Sequence, residues 1–214
     1  LEQRATQKAQ IKALQSQINP HFLNNTLEII NWEARMAGNE QIGNMIEALS
    51  TMLTAALDRD GRTQIPLSEE LGYVDAYLYI INERLGGKLK VTREIDPDMN
   101  EQYIPRLILQ PIVENAVEHD ITPNRGGELA LHAYHEGSRT VLEVFHNGTI
   151  TEQDQENIRA MAVSEAPITG HVGLRNVFRR LKLLYGDEGN LTIEEIRPGT
   201  VLAKLEFPST ANHI

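Results

Sequence analysis

Apolar positions in the first 60 residues recur at helical spacing. Ile11, Leu14 and Ile18 step by three and four, and Leu23, Leu27 and Ile30 resume the stripe after a slip. Ile42, Met45, Ile46, Leu49, Met52, Leu53, Ala56 and Leu57 form a second stripe, the mark of a helix that buries one face. Gly38-Asn39 between them is a helix stop and turn. The two stripes predict a hairpin of antiparallel helices with too few buried layers to stand alone. Its seams suit a partner hairpin in a four-helix bundle. An ordinary helical domain could carry the same hairpin, and periodicity does not separate the two.

After the polar break at Asp58-Arg59-Asp60-Gly61-Arg62 the texture changes. Val74, Tyr77, Leu78 and Ile81 mark one more helix face. Residues 88–95 alternate as a strand does, with Leu89, Val91 and Ile95 on one side. Pro105 is expected to open a helix that runs to about His119. Strands are predicted at 128–134, 139–146 and 190–196 and through Val201, Ala203, Leu205 and Phe207. Helices are predicted near 152–162 and 174–185, the first opened by a capping box of Thr151 and Asp154. Strands and helices without βαβ regularity imply an α+β sandwich for this half. No internal repeat or low-complexity tract is present.

Composition narrows the classes. The chain has 214 residues, beyond the usual single domain of about 100–150, so one large or two modest domains are expected. It begins at Leu1, which suggests a piece of a longer protein. No apolar run approaches the ~20 residues that span a bilayer, and no secretory signal is present. The net charge is −10. General nucleic-acid binding needs a basic footprint and is not expected. A polyanion would have to meet local positive charge. Without cysteine there are no disulfides and no thiolate metal sites.

Four segments could carry chemistry. In residues 15–27, Pro20 interrupts a strong helical pattern, so a bend is expected there. His21 follows it, with Gln17 one turn before, Asn25 one turn after and Glu28 a turn further along that face. An exposed histidine whose neighbours fix its tautomer can act as a nucleophile, although taken alone the pattern fits a histidine without a role better. In residues 107–119, Leu109, Ile112, Val113 and Ala116 make a buried face, while Asn115, Glu118 and His119 share another. An Asn carbonyl on a rigid helix can complete the coordination of Mg²⁺ when phosphates and water supply the rest; a polar solvent face is the plain reading. Gly170 and Gly173, just before a helical run, would let phosphate approach a helix N-terminus; an ordinary loop is the default. His146-Asn147-Gly148 ends a strand and by itself signals a turn. The histidines at 21, 119, 132, 135, 146, 171 and 213 form no HExxH, and His132 and His135 fall on opposite faces of a strand, so no zinc site is expected.

The order of these segments is more telling than any one of them. NPHFLNNTL, LILQPIVENAVEH, HNG, GHVGLRNVFRRLKLLYG and PGTVLAKLEFP, in that succession, resemble the LytS/YesM-like sensor histidine kinases from about Gln15 to Pro208. The stretch 67–85 also resembles that family's connecting helix. The resemblance implies a dimerisation and phosphoacceptor hairpin over 1–62, forming a dimeric four-helix bundle, and an ATP-binding domain of the GHKL type over 63–214. His21 matches the phosphorylated histidine, with Asn25 and Glu28 expected to assist it. Asn115 matches the Mg²⁺-binding asparagine, with Glu114 and His119 beside it. Gly170, Gly173 and Leu174 match the glycine box bordering the ATP lid, which would lie between Gly148 and Gly170. Thr200 matches the strand threonine near the adenine, and His146, Asn147 and Gly148 stand at the adenine-recognition position.

By the same resemblance the partners are a second copy, ATP with Mg²⁺, and a response regulator whose aspartate receives the phosphoryl group. Upstream segments would anchor this cytoplasmic portion to a bacterial membrane. Arg175, Arg179 and Arg180 could meet phosphate, with helix surface charge as the plainer role. Pro111 stands where ATP-hydrolysing relatives keep a water-activating Glu, which argues for kinase over hydrolase. Three positions depart from the pattern: Asn24 replaces Phe, Glu118 replaces a Lys, and His146 stands where many relatives have the Asp that accepts from the adenine amino group. The alternative function is a pseudokinase scaffold with a degenerate ATP site.

Overall fold

A computed structural model describes residues 20–57, 61–121, 126–163 and 172–209. The chain divides into two compact units, one up to residue 59 and one from residue 60 onward.

The first unit is a helical hairpin of α1 (Pro20–Met36) and α2 (Glu40–Leu57). Gly38 closes α1 in the left-handed region at φ +73°, where a residue without Cβ carries no steric cost. Asn39 then opens α2, its Oδ1 accepting the Ile42 N–H at 3.2 Å. Arg35 ties the helices together, donating to Glu40 at 2.8 Å and Glu47 at 2.9 Å. In α2 only Gly43, Ala48 and Ala55 are buried, so the hairpin core consists of small residues. The bend expected at Pro20 falls at the edge of the described residues, and Ile11, Leu14, Gln17 and Ile18 lie outside them.

The second unit runs β1 (Gln64–Pro66), α3 (Leu67–Arg84), β2 (Leu89–Ile95), a 3₁₀ turn, β3 (Tyr103–Pro105) and α4 (Gln110–Asp120). It continues with β4 (Gly127–Glu136), β5 (Arg139–Asn147), α5 (Glu152–Val163), α6 (Val172–Tyr185), β6 (Asn190–Arg197) and β7 (Thr200–Pro208). Five strands make a mixed sheet in the order β2-β4-β5-β7-β6. The β2–β4 pair is parallel and the others antiparallel. Period-two alternation sends Leu129, Leu131 and Ala133 of β4, Leu142 and Val144 of β5, and Ala203, Leu205 and Phe207 of β7 into one core with the buried faces of α3, α4 and α6. This is the α+β architecture expected for this half. The capping box of α5 is present, with Thr151 Oγ1 accepting the Asp154 N–H at 3.1 Å and Asp154 Oδ2 accepting the Thr151 N–H at 3.0 Å.

One predicted element is corrected. Pro105 opens no helix. It ends β3, which pairs antiparallel with β1, Ile65 opposite Ile104. The Arg106 N–H is held by the Thr63 carbonyl at 3.1 Å, and the helix begins only at Gln110. The partner strand is distant in sequence, so local pattern could not reveal it.

Candidate functional site

On the hairpin, His21 is exposed near the start of α1, and the Asn25 carboxamide nitrogen lies 3.3 Å from its Nδ1. An amide N–H donated to Nδ1 leaves the neutral ring's hydrogen on Nε2. A half-turn of the amide presents Oδ1 instead, fixing Nδ1–H and leaving the lone pair on Nε2. Glu28 is exposed on the same helix.

In the second unit α4 carries Glu114 and Asn115, both half-buried, and the exposed Glu118. The opposite face of α4 (Ile112, Val113, Ala116 and Val117) is sealed in the core, so the helix cannot roll without exposing it. Gln110 donates to Glu114 at 2.7 Å. Tyr77 of α3 faces this acidic stretch. Burial pushes its phenol up to about 12, with Glu114 and Glu118 adding to the rise. A single Asn carbonyl beside carboxylates suits Mg²⁺ held mainly by phosphates and water. Among the described residues no group of three or more His, Asp or Glu forms a self-sufficient metal cage.

His146 is buried and, by alternation with Leu142 and Val144, points to the helix side of the sheet. Its Nδ1 lies 3.1 Å from the Asn147 carbonyl. A carbonyl only accepts, so Nδ1 carries the hydrogen and Nε2 of the neutral ring is an acceptor. Asn147 and Thr200 form a cross-strand pair and therefore share the other face of the sheet. There Asn147 Oδ1 accepts the Glu128 N–H at 2.6 Å, and the Thr200 hydroxyl accepts from Arg197 Nε at 3.1 Å. Both line a groove with Lys90, Thr92 and Phe145. Gly148 closes the end of the ladder, donating to the Gly199 carbonyl at 3.2 Å. The structure thus brings Glu114, Asn115 and His146 to the helix side and sets the Thr200 and Asn147 side chains on the opposite one.

Gly170 and the His119 side chain lie outside the described residues. Gly173 sits in the first turn of α6, where an added Cβ would come within 3.2 Å of Pro111 Cβ. Its small size serves the contact between α6 and the start of α4, and Leu174 is buried beside it.

Sequence reasoning missed what holds α4. Glu70 of α3 is completely buried. Its carboxylate accepts the Leu107 N–H at 2.8 Å, the Leu109 N–H at 2.9 Å and the Gln110 N–H at 3.2 Å. Burial pushes this carboxyl up, and the backbone donors pull it back down. Arg180 of α6 donates to the carbonyls of Arg106 and Leu107. It is neither a phosphate ligand in this arrangement nor mere surface charge. The signal was present: Glu70 interrupts the apolar stripe Leu67, Leu71, Val74, Leu78, and a charge on a buried face calls for partners.

Similarity to known proteins extends over most of the chain. Residues 9–89 match the histidine kinase family. The sensor histidine kinase YpdA of Escherichia coli strain K12 is 36% identical over 92% of this chain and 34% of its own length. The sensor protein LytS of Bacillus anthracis is 34% identical over 94% of this chain and 34% of its own. The chain therefore spans about a third of the length of these relatives. The catalytic domain of histidine kinase ThkA superposes with a TM-score of 0.54 at 18% identity, over 70% of this chain and 98% of that domain, a likeness of fold.

Proposed function

The chain belongs to the LytS/YesM-like sensor histidine kinases, and on that basis we propose that it autophosphorylates on His21 with ATP and passes the phosphoryl group to an aspartate of a response regulator. The observation that carries the reading is an exposed, Asn25-paired histidine within the region that matches the histidine kinase family.

A lone pair on an imidazole nitrogen of His21 attacks the γ-phosphorus. The N–P bond forms as the bond to the leaving ADP oxygen breaks, and the ring sheds its N–H proton. With its Oδ1 toward Nδ1, Asn25 holds the tautomer in which Nε2 is nucleophilic. Glu28 is assigned an assisting role on the same helix. Asn115, with Glu114 beside it in the nucleotide site, would hold Mg²⁺, which would offset charge on the phosphoryl oxygens when bound, so most of the catalysis is positioning and electrostatics. His146 Nε2 would accept the adenine amino group in place of a carboxylate. Gly170, Gly173 and Leu174 would border the nucleotide lid, with Gly173 and Leu174 anchoring α6 against α4. Gly148 would turn the chain toward that lid. Asn147 and Thr200 act at the end of the β5–β7 ladder, steadying the strand end that carries His146.

The exposed apolar surface of the hairpin supports a homodimeric four-helix bundle. Phe22, Ile29, Trp32 and Met36 are 61% to 68% exposed, more large apolar surface than a solvated hairpin sustains. The proposed domain roles follow: phosphoacceptor and dimerisation over 1–62, ATP binding over 63–214. Among the described residues no helix is long and apolar enough to cross a membrane. Membrane attachment is assigned to upstream segments of the longer protein, leaving this portion on the cytoplasmic side.

The test is incubation with γ-labelled ATP and Mg²⁺. Acid-labile, alkali-stable label that vanishes in His21→Gln supports the assignment, and label that persists in that variant refutes it. Nucleotide binding without label would mark a signalling scaffold.

A further inference from the structure

The loop entering α4 is gripped from two sides. Leu107 stands at φ +53°, the one described non-glycine residue in the left-handed region. For a residue with a Cβ this conformation is strained, and such strain persists where the surroundings over-determine it. Here Glu70 takes the Leu107 N–H while Arg180 takes its carbonyl. The helix then starts on Leu109, which has no side-chain acceptor of its own and makes no side-chain cap bond. Pro111 has no N–H to satisfy, and the Ile112 and Val113 N–H groups already reach the Leu109 carbonyl. That leaves the donors of Leu109 and Gln110, and Glu70 Oε1 accepts both. A residue on another helix has thus taken over the N-cap function.

We propose that Glu70 is a positioning residue for Mg²⁺-nucleotide binding, fixing through its cap on α4 where Asn115 presents its carbonyl. Asn115 lies five residues beyond Gln110, about 7–8 Å along the axis, so a shift in the first turn carries directly to it. The fixed anchor also has a source in sequence. Glu70 sits in the first turn of α3, directly after β1, and β1 is paired with β3, the strand that leads into the strained loop. The strand just before Glu70 in the chain is therefore paired with the segment entering α4, and that segment is in turn bonded to the Glu70 carboxylate. The proposal rests on the assignment of Asn115 to Mg²⁺.

The experiment measures ATP affinity of the 214-residue chain by calorimetry with and without Mg²⁺. It compares wild type, Glu70→Gln, Asn115→Ala and the double variant, with folding checked by circular dichroism. Glu70→Gln keeps one carbonyl acceptor but turns an N–H₂ toward a backbone N–H. It is expected to retain Mg²⁺-free affinity and to lose about tenfold or more of the gain that Mg²⁺ confers, as residues supporting a metal ligand typically do. In the Asn115→Ala background it adds no further Mg²⁺-dependent loss. A folded Glu70→Gln with the full Mg²⁺ gain overturns the proposal. So does an additive loss in the double variant, which marks a merely structural role. Should Glu70→Gln not fold, Arg180→Gln frees the loop from the opposite side and enters the same cycle with the same deciding outcomes. A wild type whose Mg²⁺ gain is absent, or untouched by Asn115→Ala, instead sinks the assignment of Asn115 and the proposal with it. That pattern is distinct, because a failed cap leaves the Asn115 effect intact.

Discussion

Glu69 and Glu70 are neighbours in the first turn of α3 with opposite surroundings. Glu69 stays at the surface, bound by Arg62 at 2.9 and 3.0 Å and by the Tyr73 hydroxyl at 2.5 Å. The Arg62 hydrogen bonds hold its carboxyl below the usual value, with burial opposing and Tyr73 assisting. A folded-state value below the unfolded one stabilises the fold while the group is ionised. The contribution is present above the unfolded value of about 4.5 and is lost as pH falls through the folded one. We therefore expect Glu69→Gln to be less stable than wild type in urea at neutral pH, by about 1 kcal/mol or less for so exposed a pair. The difference should vanish as pH drops below that range; one that grows in acid would contradict the sign. Glu70 is shifted the other way by burial. The two residues are indistinguishable by type, and only the Glu70 position in the apolar stripe set it apart in the sequence.

At the scale of elements, the contact of Gly173 with Pro111 shows how two motifs read separately become one joint. The glycine was read as an approach for phosphate, and the structure places a proline ring against it. Helix propensity favours Gly173→Ala by up to about 1 kcal/mol, while a Cβ at 3.2 Å must push back a rigid ring, costing about 1–3 kcal/mol. We expect Gly173→Ala to lower the melting temperature and Gly173→Ala with Pro111→Ala to recover it. A single variant that melts higher than wild type would show that the joint has slack. The α5 capping box was legible because its partners are three residues apart. The start of α4 was not, because its cap comes from 39 residues away.

For the whole molecule, the hairpin leaves apolar surface uncovered that its own two helices cannot bury. Trp32 at 61% exposure is the largest of these side chains. If a second copy covers this face, Trp32→Glu buries a charge at the seam and should convert a dimer to a monomer by sedimentation, with the protomer's helical content unchanged. A dimer that survives the substitution at micromolar concentration would place the seam elsewhere.

Local pattern determined the hairpin, its turn at Gly38-Asn39, every long strand and, apart from the start of α4, the helices of the second unit, because these depend on residues two to four apart. The succession of short motifs was likewise enough to mark the histidine kinase family. Strand order, the pairing of β1 with β3, and the face to which His146 and Thr200 are each assigned were decided by tertiary structure. A one-residue choice of register puts Thr200 opposite Asn147 instead of His146, and no local pattern carries that choice. The buried carboxylate of Glu70 and the guanidinium of Arg180 belong with these. Their partners are backbone groups of a distant loop, and backbone donors and acceptors are present at nearly every residue, so the sequence cannot say which of them a side chain will meet.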